Sequence, residues 1–169
     1  MATASPPTDL SNAELIRWVF ETTNRRDVAA LKQSWTAATV VRFPDRTCHG
    51  ADEIAAYFED AFAALPDWHM EVVSIAAEDD DVFVHWRLTG THTGPLLGIE
   101  PTGKSLDVDG MDHFVLRDGK VVSNFVIFDQ MQYARQIGMM PPDGSSADKA
   151  VKSAFNLRTK LAQKLRERS

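Results

Sequence analysis

Leu106-Asp-Val-Asp-Gly-Met-Asp-His-Phe-Val-Leu116 is the stretch that decides the fold, because its side chains alternate as they do along a β-strand. An Asp118-Gly-Lys120 turn joins it to a second strand-like run that ends at Asp129. The two runs predict a β-hairpin that carries two carboxylates, Asp112 and Asp129, into an apolar setting. A carboxylate in such a place either destabilises the fold or has a function.

The segments around this hairpin predict helices first and strands afterwards. Ser11-Asn-Ala-Glu14 has the spacing of a capping box and predicts a helix over about 12–24. Asp27 would cap a second helix over about 28–35, and a third helix follows Gly50. The predicted strands cover about residues 39–43, 68–77, 82–92, 105–117 and 120–129, and a short helix covers Gln130 to Ile137.

This order of elements predicts an α+β fold in which a curved, cone-shaped antiparallel sheet packs on three N-terminal helices, with an amphipathic helix at the C-terminus. A sheet that curls over helices encloses a conical cavity, and such cavities commonly bind small molecules. We expect residues 1–10 to be a disordered lead, 11–141 the domain, 142–147 a linker and 148–169 a basic helical tail.

Charge and composition limit the classes of partner. The net charge is −6, but residues 148–169 hold seven basic and two acidic side chains, so the rest of the chain carries −11. An acidic body disfavours nucleic acid, because phosphate binding needs concentrated positive charge. No apolar run is long enough to span a membrane, and the N-terminus lacks the features of a signal peptide. A single cysteine, Cys48, cannot form an internal disulfide, which suits the cytoplasm.

Four motifs resemble those of the SnoaL-like polyketide cyclases, which belong to the nuclear transport factor 2-like superfamily together with ketosteroid isomerases and limonene epoxide hydrolase. The motifs are Gly90-Thr-His-Thr-Gly94, Pro101-Thr-Gly-Lys104, Asp118-Gly-Lys120 and Phe128-Asp129 with Gln136-Ile-Gly138. The resemblance implies a cone-shaped α+β domain that forms a homodimer through the outer face of its sheet and uses no metal or organic cofactor. It also implies that Asp129 is the acid or base of an intramolecular aldol closure.

Asp129 allows two interpretations. Counting alternate residues puts it on the strand face of Phe125 and Ile127, where apolar surroundings would make its carboxylate a better base. Alternatively, Asp129 is the N-cap of the helix that starts at Gln130, because aspartate is a favoured N-cap and capping stabilises the anion.

Asp112 shares a strand face with Val108 and Phe114. In one interpretation it stays protonated and donates a hydrogen bond while Asp129 acts as the base. In the other it forms an ion pair with a core-facing arginine, either Arg42 or Arg87.

Arg87 matches the arginine that bridges two aspartates in the epoxide hydrolases. Thr89 stands where the first of those aspartates would fall, so the water-activating constellation is incomplete. His92 is either an acid/base group near neutral pH or a hydrogen-bonded residue at the cavity rim. The histidines form no spaced cluster, so no metal site is predicted. The residues predicted to contact a substrate are Arg42, Trp35, Tyr57, Phe62, Val108, Phe114, Phe125 and Ile127, although core packing alone would explain each aromatic one.

These observations predict a small-molecule enzyme that performs cofactor-independent acid/base chemistry on an apolar carbonyl compound, either an aldol ring closure or a ketone isomerisation. Asp129 would take the proton, and Asp112 or Arg87 would stabilise the enolate oxygen. A non-catalytic binding or association module of the same fold is the alternative, and epoxide opening ranks third.

Two surfaces are predicted to mediate association. The second face of the hairpin is too apolar to remain exposed to solvent, and it therefore predicts a homodimer. This face carries Met111, His113, Val115, Val122, Val126 and Phe128. In the tail, Phe155 is expected to anchor a basic helix on the acidic body, in cis or across the dimer. A solvated helix and a helix that binds an anionic membrane or another partner are the alternatives.

Overall fold

The computed structural model describes residues 9–96 and 98–166. Residues 1–8 of the predicted lead and the last three residues of the tail lie outside this part. The helices are α1 (Asn12–Asn24), α2 (Val28–Leu31), which runs into a 3-10 turn (Lys32–Ser34), α3 (Gly50–Ala64), α4 (Gln130–Gln136) and α5 (Ser146–Arg166). The strands are β1 (Val40–Arg42), β2 (Thr47–His49), β3 (His69–Glu78), β4 (Asp81–Thr91), β5 (Ser105–Arg117) and β6 (Lys120–Phe128).

Local sequence signals start the first two helices, as predicted. At α1 the backbone N–H of Glu14 donates to Ser11 Oγ (3.3 Å), and the N–H of Ser11 donates to Glu14 Oε2 (2.9 Å), which completes the capping box. At α2 the N–H of Ala30 donates to Asp27 Oδ1 (3.0 Å). Each cap satisfies backbone donors that the first turn of a helix leaves unpaired.

Six strands form one sheet in the order β2-β1-β6-β5-β4-β3. Only the β1–β6 pair is parallel, and the other four pairs are antiparallel. The sheet curves without closing, so its inner face can pack on α1 and α3 while its outer face stays open. The predicted α+β class with a curved sheet over N-terminal helices is confirmed.

The side chains predicted to face inward were correct for β5 but wrong for β6. On β5 the residues Val108, Phe114 and Asp112 are all buried on the inner side, as expected. On β6 the prediction was wrong, because Phe125 and Ile127 are exposed on the outer face. Val126 and Phe128, predicted outside, line the interior instead. The hairpin has a register shift next to Val115 and Leu116, and the pairing beyond it places Asn124 beside Phe114 and Val126 beside Asp112. One shifted residue exchanges the two faces of a strand.

Up to Arg166 the tail is a helix, and beyond its first turn this helix does not pack on the domain formed by the described residues. Every side chain from Lys149 to Arg166 is exposed, and Phe155, the predicted anchor, is 66% exposed. Docking of Phe155 in cis is therefore wrong for this structure. None of the helices in the described parts of the chain has the length and apolarity that a membrane span requires.

Candidate active site

An apolar cavity of about 130 Å³ lies between the curved sheet and the helices. Its walls come from α1, α3, the inner faces of β4, β5 and β6, and α4. Four residues predicted to contact a substrate line it: Trp35, Tyr57, Val108 and Phe114. An apolar lining with a few polar groups is a usual feature of a small-molecule site.

Asp112 is the buried carboxylate on this wall. It is 7% exposed and accepts a hydrogen bond from Trp86 Nε1 (3.0 Å) and another from Asn124 Nδ2 (3.3 Å). Burial raises the pKa of Asp112 to about 7, while the two hydrogen bonds act in the opposite direction. The predicted ion pair with Arg42 or Arg87 is absent from this geometry, since both donors are neutral. A carboxyl group that titrates near neutrality can both take and return a proton.

Gly110 makes the Trp86–Asp112 contact geometrically possible. It pairs with Trp86 across the β4–β5 ladder, and a Cβ atom placed on Gly110 would lie 2.2 Å from the indole ring. The indole therefore occupies the space that a Cβ atom would need, and its Nε1–H donates to Asp112. A glycine within a strand often marks such a close approach.

Replacing Gly110 with Ala should destabilise the domain by about 1–3 kcal/mol, because the indole must move away from a backbone position that cannot yield. Urea unfolding measures this free energy, and tryptophan fluorescence reports the displaced ring. Gly90→Ala on the neighbouring strand is the matched control, because its new Cβ would meet atoms no closer than 3.4 Å. Equal stability of the two variants would contradict this account of Gly110.

The mouth of the cavity carries a second polar group. The Tyr57 ring stacks on Phe43 with 3.7 Å between ring centroids, and its hydroxyl donates to Asp45 Oδ1 (3.3 Å). Arg46 Nε donates to Asp45 Oδ2 (3.0 Å), and its guanidinium lies over the Tyr57 ring. Burial raises the pKa of Tyr57 well above its ordinary range, so the hydroxyl stays protonated and can donate.

Two further donors on the cavity wall lack a hydrogen-bond partner among residues 9–96 and 98–166. They are the Tyr133 hydroxyl and Trp68 Nε1, both buried. Burial raises the pKa of Tyr133 to about 12, so its hydroxyl is protonated at neutral pH. Buried donors without partners are rare, and a small movement of either side chain toward the cavity would let it donate to a ligand oxygen.

Asp129 lies outside this constellation. It is exposed, and its Oδ1 accepts from the backbone N–H groups of Met131 and Gln132, both at 2.9 Å. The N-cap interpretation is therefore confirmed, and the interpretation that placed Asp129 in an apolar cavity was wrong. The pairing of Asp129 with Asp112 in one pocket was wrong for the same reason.

Both arginines lie on the outer face of the sheet. Arg87 is exposed and makes a two-pronged contact with Asp107, in which Nε donates to Oδ1 at 2.6 Å and Nη2 to Oδ2 at 2.5 Å. This contact holds the pKa of the Asp107 carboxyl below its usual range. The guanidinium of Arg42 lies 4.0 Å from the centre of the exposed Phe125 ring. Neither arginine is among the residues that line the cavity.

His92 and Phe62 are buried but do not line the cavity. His92 Nδ1 lies 3.1 Å from Thr102 Oγ1, and its backbone pairs with Lys104 and Gly103. The predicted hydrogen bonding is therefore present, but His92 is not at the cavity rim. Phe62 packs behind the cavity against Phe58 and Trp68. Within the described segments, no group of three His, Cys, Asp or Glu side chains is arranged to hold a metal ion.

Asn124 and Tyr133 are the polar site residues that the sequence did not reveal. Asn124 is a lone amide in the apolar run from Val121 to Phe128, and a buried amide in such a run is a signal that a polar partner faces it. Tyr133 carries no comparable signal, because α4 reaches the cavity only through tertiary contacts. Gln136 fixes α4 to β5 by accepting from the N–H of Asp107 and donating to its C=O, both at 2.7 Å.

Solved structures with this architecture include three bacterial proteins. AclR of Streptomyces galilaeus, a proposed hydroxylase, is 25% identical, with a TM-score of 0.69 over 89% of this chain and 93% of its own. A proposed SnoaL-like polyketide cyclase from Jannaschia sp. CCS1 is 24% identical, with a TM-score of 0.70 over 80% of this chain and 100% of its own. IdmH of Streptomyces antibioticus, a proposed polyketide cyclase, is 21% identical, with a TM-score of 0.62 over 74% and 96% of the two chains.

The neighbours share the nuclear transport factor 2-like fold predicted from the motifs. No curated protein matches the chain. The family model for SnoaL-like polyketide cyclase matches residues 13–137, which span α1 to the end of α4 and include every wall of the cavity. This chain therefore belongs to the SnoaL-like polyketide cyclase family.

Proposed function

We propose that this protein catalyses cofactor-independent proton transfer on an apolar carbonyl compound bound in the cavity, with Asp112 as the acid/base group. The observation that carries the proposal is a single buried carboxyl on an apolar wall, with a pKa raised to about 7 by that burial. Membership of a cyclase family supports a carbonyl substrate. Asp112 thus takes the role that the motifs suggested for Asp129.

In the first step, the Asp112 carboxylate removes a proton from the carbon next to a substrate carbonyl. The electron pair of the broken C–H bond forms the enolate, and the negative charge moves onto the carbonyl oxygen. In an aldol closure, the enolate carbon attacks a second carbonyl carbon, and the new alkoxide takes the proton from Asp112. In an isomerisation, Asp112 returns the proton to a different carbon. Both routes leave Asp112 ionised at the end.

Asn124 suits both protonation states of Asp112. Its Nδ2 donates to the ionised carboxylate, whereas its Oδ1 is buried and has no partner in the described part of the chain. Rotation of the amide by half a turn brings Oδ1 to the same place, where it can accept from a protonated carboxyl. Trp86 Nε1 donates in both states. These two partners hold the carboxyl in one orientation throughout the cycle.

The enolate oxygen needs a donor that stays protonated, and the Tyr133 hydroxyl meets this need. It lies on the cavity wall, its pKa is raised to about 12, and no described residue occupies it. A donor that is oriented before the reaction stabilises developing charge more than water does. Tyr133 thus replaces Arg87 in the role of oxyanion stabiliser.

Deuterium exchange tests this function without knowledge of the natural substrate. Bicyclic aromatic ketones such as 1-tetralone exchange their α-protons slowly in D₂O, and mass spectrometry follows the exchange. Binding is measured separately, because a ligand in the cavity should quench the fluorescence of the tryptophans on its wall, Trp35, Trp68 and Trp86. Enzyme-dependent exchange of a bound ketone supports the proposal. If such ketones bind tightly but their α-protons do not exchange faster with the protein present, the non-catalytic binding module is favoured instead.

We also propose that the protein forms a homodimer through the outer face of its sheet. Five large apolar side chains are between 39% and 47% exposed on this face: Phe83, Met111, Val122, Phe125 and Ile127. Several exposed large apolar side chains on one sheet face are typical of a protein–protein contact surface. The β6 members differ from the predicted set because the two faces of that strand are exchanged.

Ile127→Asp should weaken the dimer by about 10-fold or more, because it places a charge in an apolar contact. Sedimentation velocity over a concentration series measures the dissociation constant. Ala56→Asp adds the same charge to an exposed position on α3 and should leave association unchanged. A wild-type protein that is monomeric at about 100 µM would refute the proposed dimer.

A further inference from the structure

The α5 helix leaves the domain from a fixed base. Asp148 in its first turn is buried and accepts from the N–H of Gly144 (3.0 Å) and from Lys152 Nζ (2.6 Å). Asp143 just before the helix accepts from Lys152 (3.1 Å) and from Arg135 on α4 (3.3 Å). These contacts set the direction of the helix, which at 21 residues extends about 30 Å.

Beyond this base, α5 is amphipathic and uncovered. Val151, Phe155 and Leu161 are 56%, 66% and 55% exposed, and helical geometry places them on one side together with Ala154 and Ala162. The opposite side carries the basic residues Lys149, Lys152, Lys160 and Lys164. An isolated helix of this composition is only marginally stable in water, so contact of the apolar side with another surface would stabilise it.

We propose that α5 is an intermolecular arm whose apolar side packs on a second copy of this chain. Charge complementarity favours this occupant, because residues 148–169 carry +5 whereas the remainder of each chain carries −11. The same acidic body would be repelled by an anionic membrane. A two-fold pair also covers both arms at once, since each copy offers an arm and receives one. This proposal does not depend on the chemistry assigned to the cavity.

Zero-length cross-linking of isotopically mixed protein tests the proposal on the full chain. Equal amounts of ¹⁴N- and ¹⁵N-labelled protein are mixed, and a carbodiimide joins lysines to nearby carboxylates. Peptides that link Lys152, Lys160 or Lys164 of one isotope to an acidic residue of the other are expected. Links confined to one isotope would overturn the proposal, because they would mean that α5 contacts only its own body.

A pair of charge-matched variants tests the apolar side itself. Phe155→Glu with Leu161→Glu should weaken association by about 10-fold or more, while Ser153→Glu with Gln163→Glu should not, because only the first pair changes the apolar side. Both variants alter the net charge equally and leave the cavity untouched. The wild-type association should also weaken at high salt, since screening reduces the attraction between arm and body.

If the two double variants associate with equal affinity, the proposal that α5 is an intermolecular arm is wrong. So would wild-type protein that stays monomeric but binds phosphatidylglycerol vesicles through α5, because a lipid surface would then be the occupant. Turnover is a separate readout, so loss of the arm and loss of the proposed chemistry can be told apart.

Discussion

Asp112→Asn should lower turnover by about 10²-fold or more, because the variant loses the only buried carboxyl on the described cavity wall. The domain should stay folded, because the asparagine side chain has nearly the same shape as the aspartate side chain. The asparagine can still accept from Trp86 and can donate to the unpaired Oδ1 of Asn124. Steady-state rates with any accepted substrate, or deuterium exchange with a bound ketone, measure the loss. Circular dichroism and ligand-induced quenching verify that the fold and the binding site persist.

Asp129→Asn is the matched control, because it makes the same chemical change to a carboxylate outside the cavity. Asparagine is as good an N-cap as aspartate, so α4 should keep its start, and turnover should stay close to that of the wild type. If Asp129→Asn is the inactive variant and Asp112→Asn the active one, the assignment made from the cavity is wrong.

The stability of the wild type should fall as the pH rises from about 4 to about 7, and Asp112 is the cause. The unfolded chain releases the Asp112 proton near its ordinary pKa of about 4, whereas the folded protein keeps it until about pH 7. In this window the unfolded state binds fewer protons, so the free energy of unfolding decreases by about 1.4 kcal/mol per pH unit. The total decrease is on the order of 4 kcal/mol.

Urea unfolding at a series of pH values measures this decrease, and Asp112→Asn should remove most of it. The variant should then be more stable than the wild type at pH 8, although its turnover is expected to be much lower. Carboxyls such as Asp67 and Asp107 have lowered pKa values, so their contribution is lost only as the pH falls below about 4, outside this window. Parallel pH profiles for wild type and variant would contradict the buried, titrating Asp112.

The outline of the fold was predictable because its signals are local. The Ser11–Glu14 capping box and the Asp27 cap mark helix starts through contacts within one turn. The alternation of β5 identified its inner face, including Asp112, because one side of that strand begins with small and charged residues at Ser105, Asp107 and Asp109, while the other side is mostly apolar. The N-cap alternative for Asp129 was visible for the same reason, since a cap involves only the next three residues.

The sequence by itself determined the order of the elements except β2, which it did not predict, together with the family and one of the two proposed carboxylates. The tertiary structure decided which side chains meet in the cavity. Both sides of β6 are apolar, so only its shifted pairing with β5 sends Asn124 and Val126 inward and Phe125 outward. That pairing depends on residues of two strands, and period counting along one strand cannot detect a one-residue shift. Tyr133 likewise reaches the cavity because Gln136 holds α4 against β5, a contact between residues 29 positions apart.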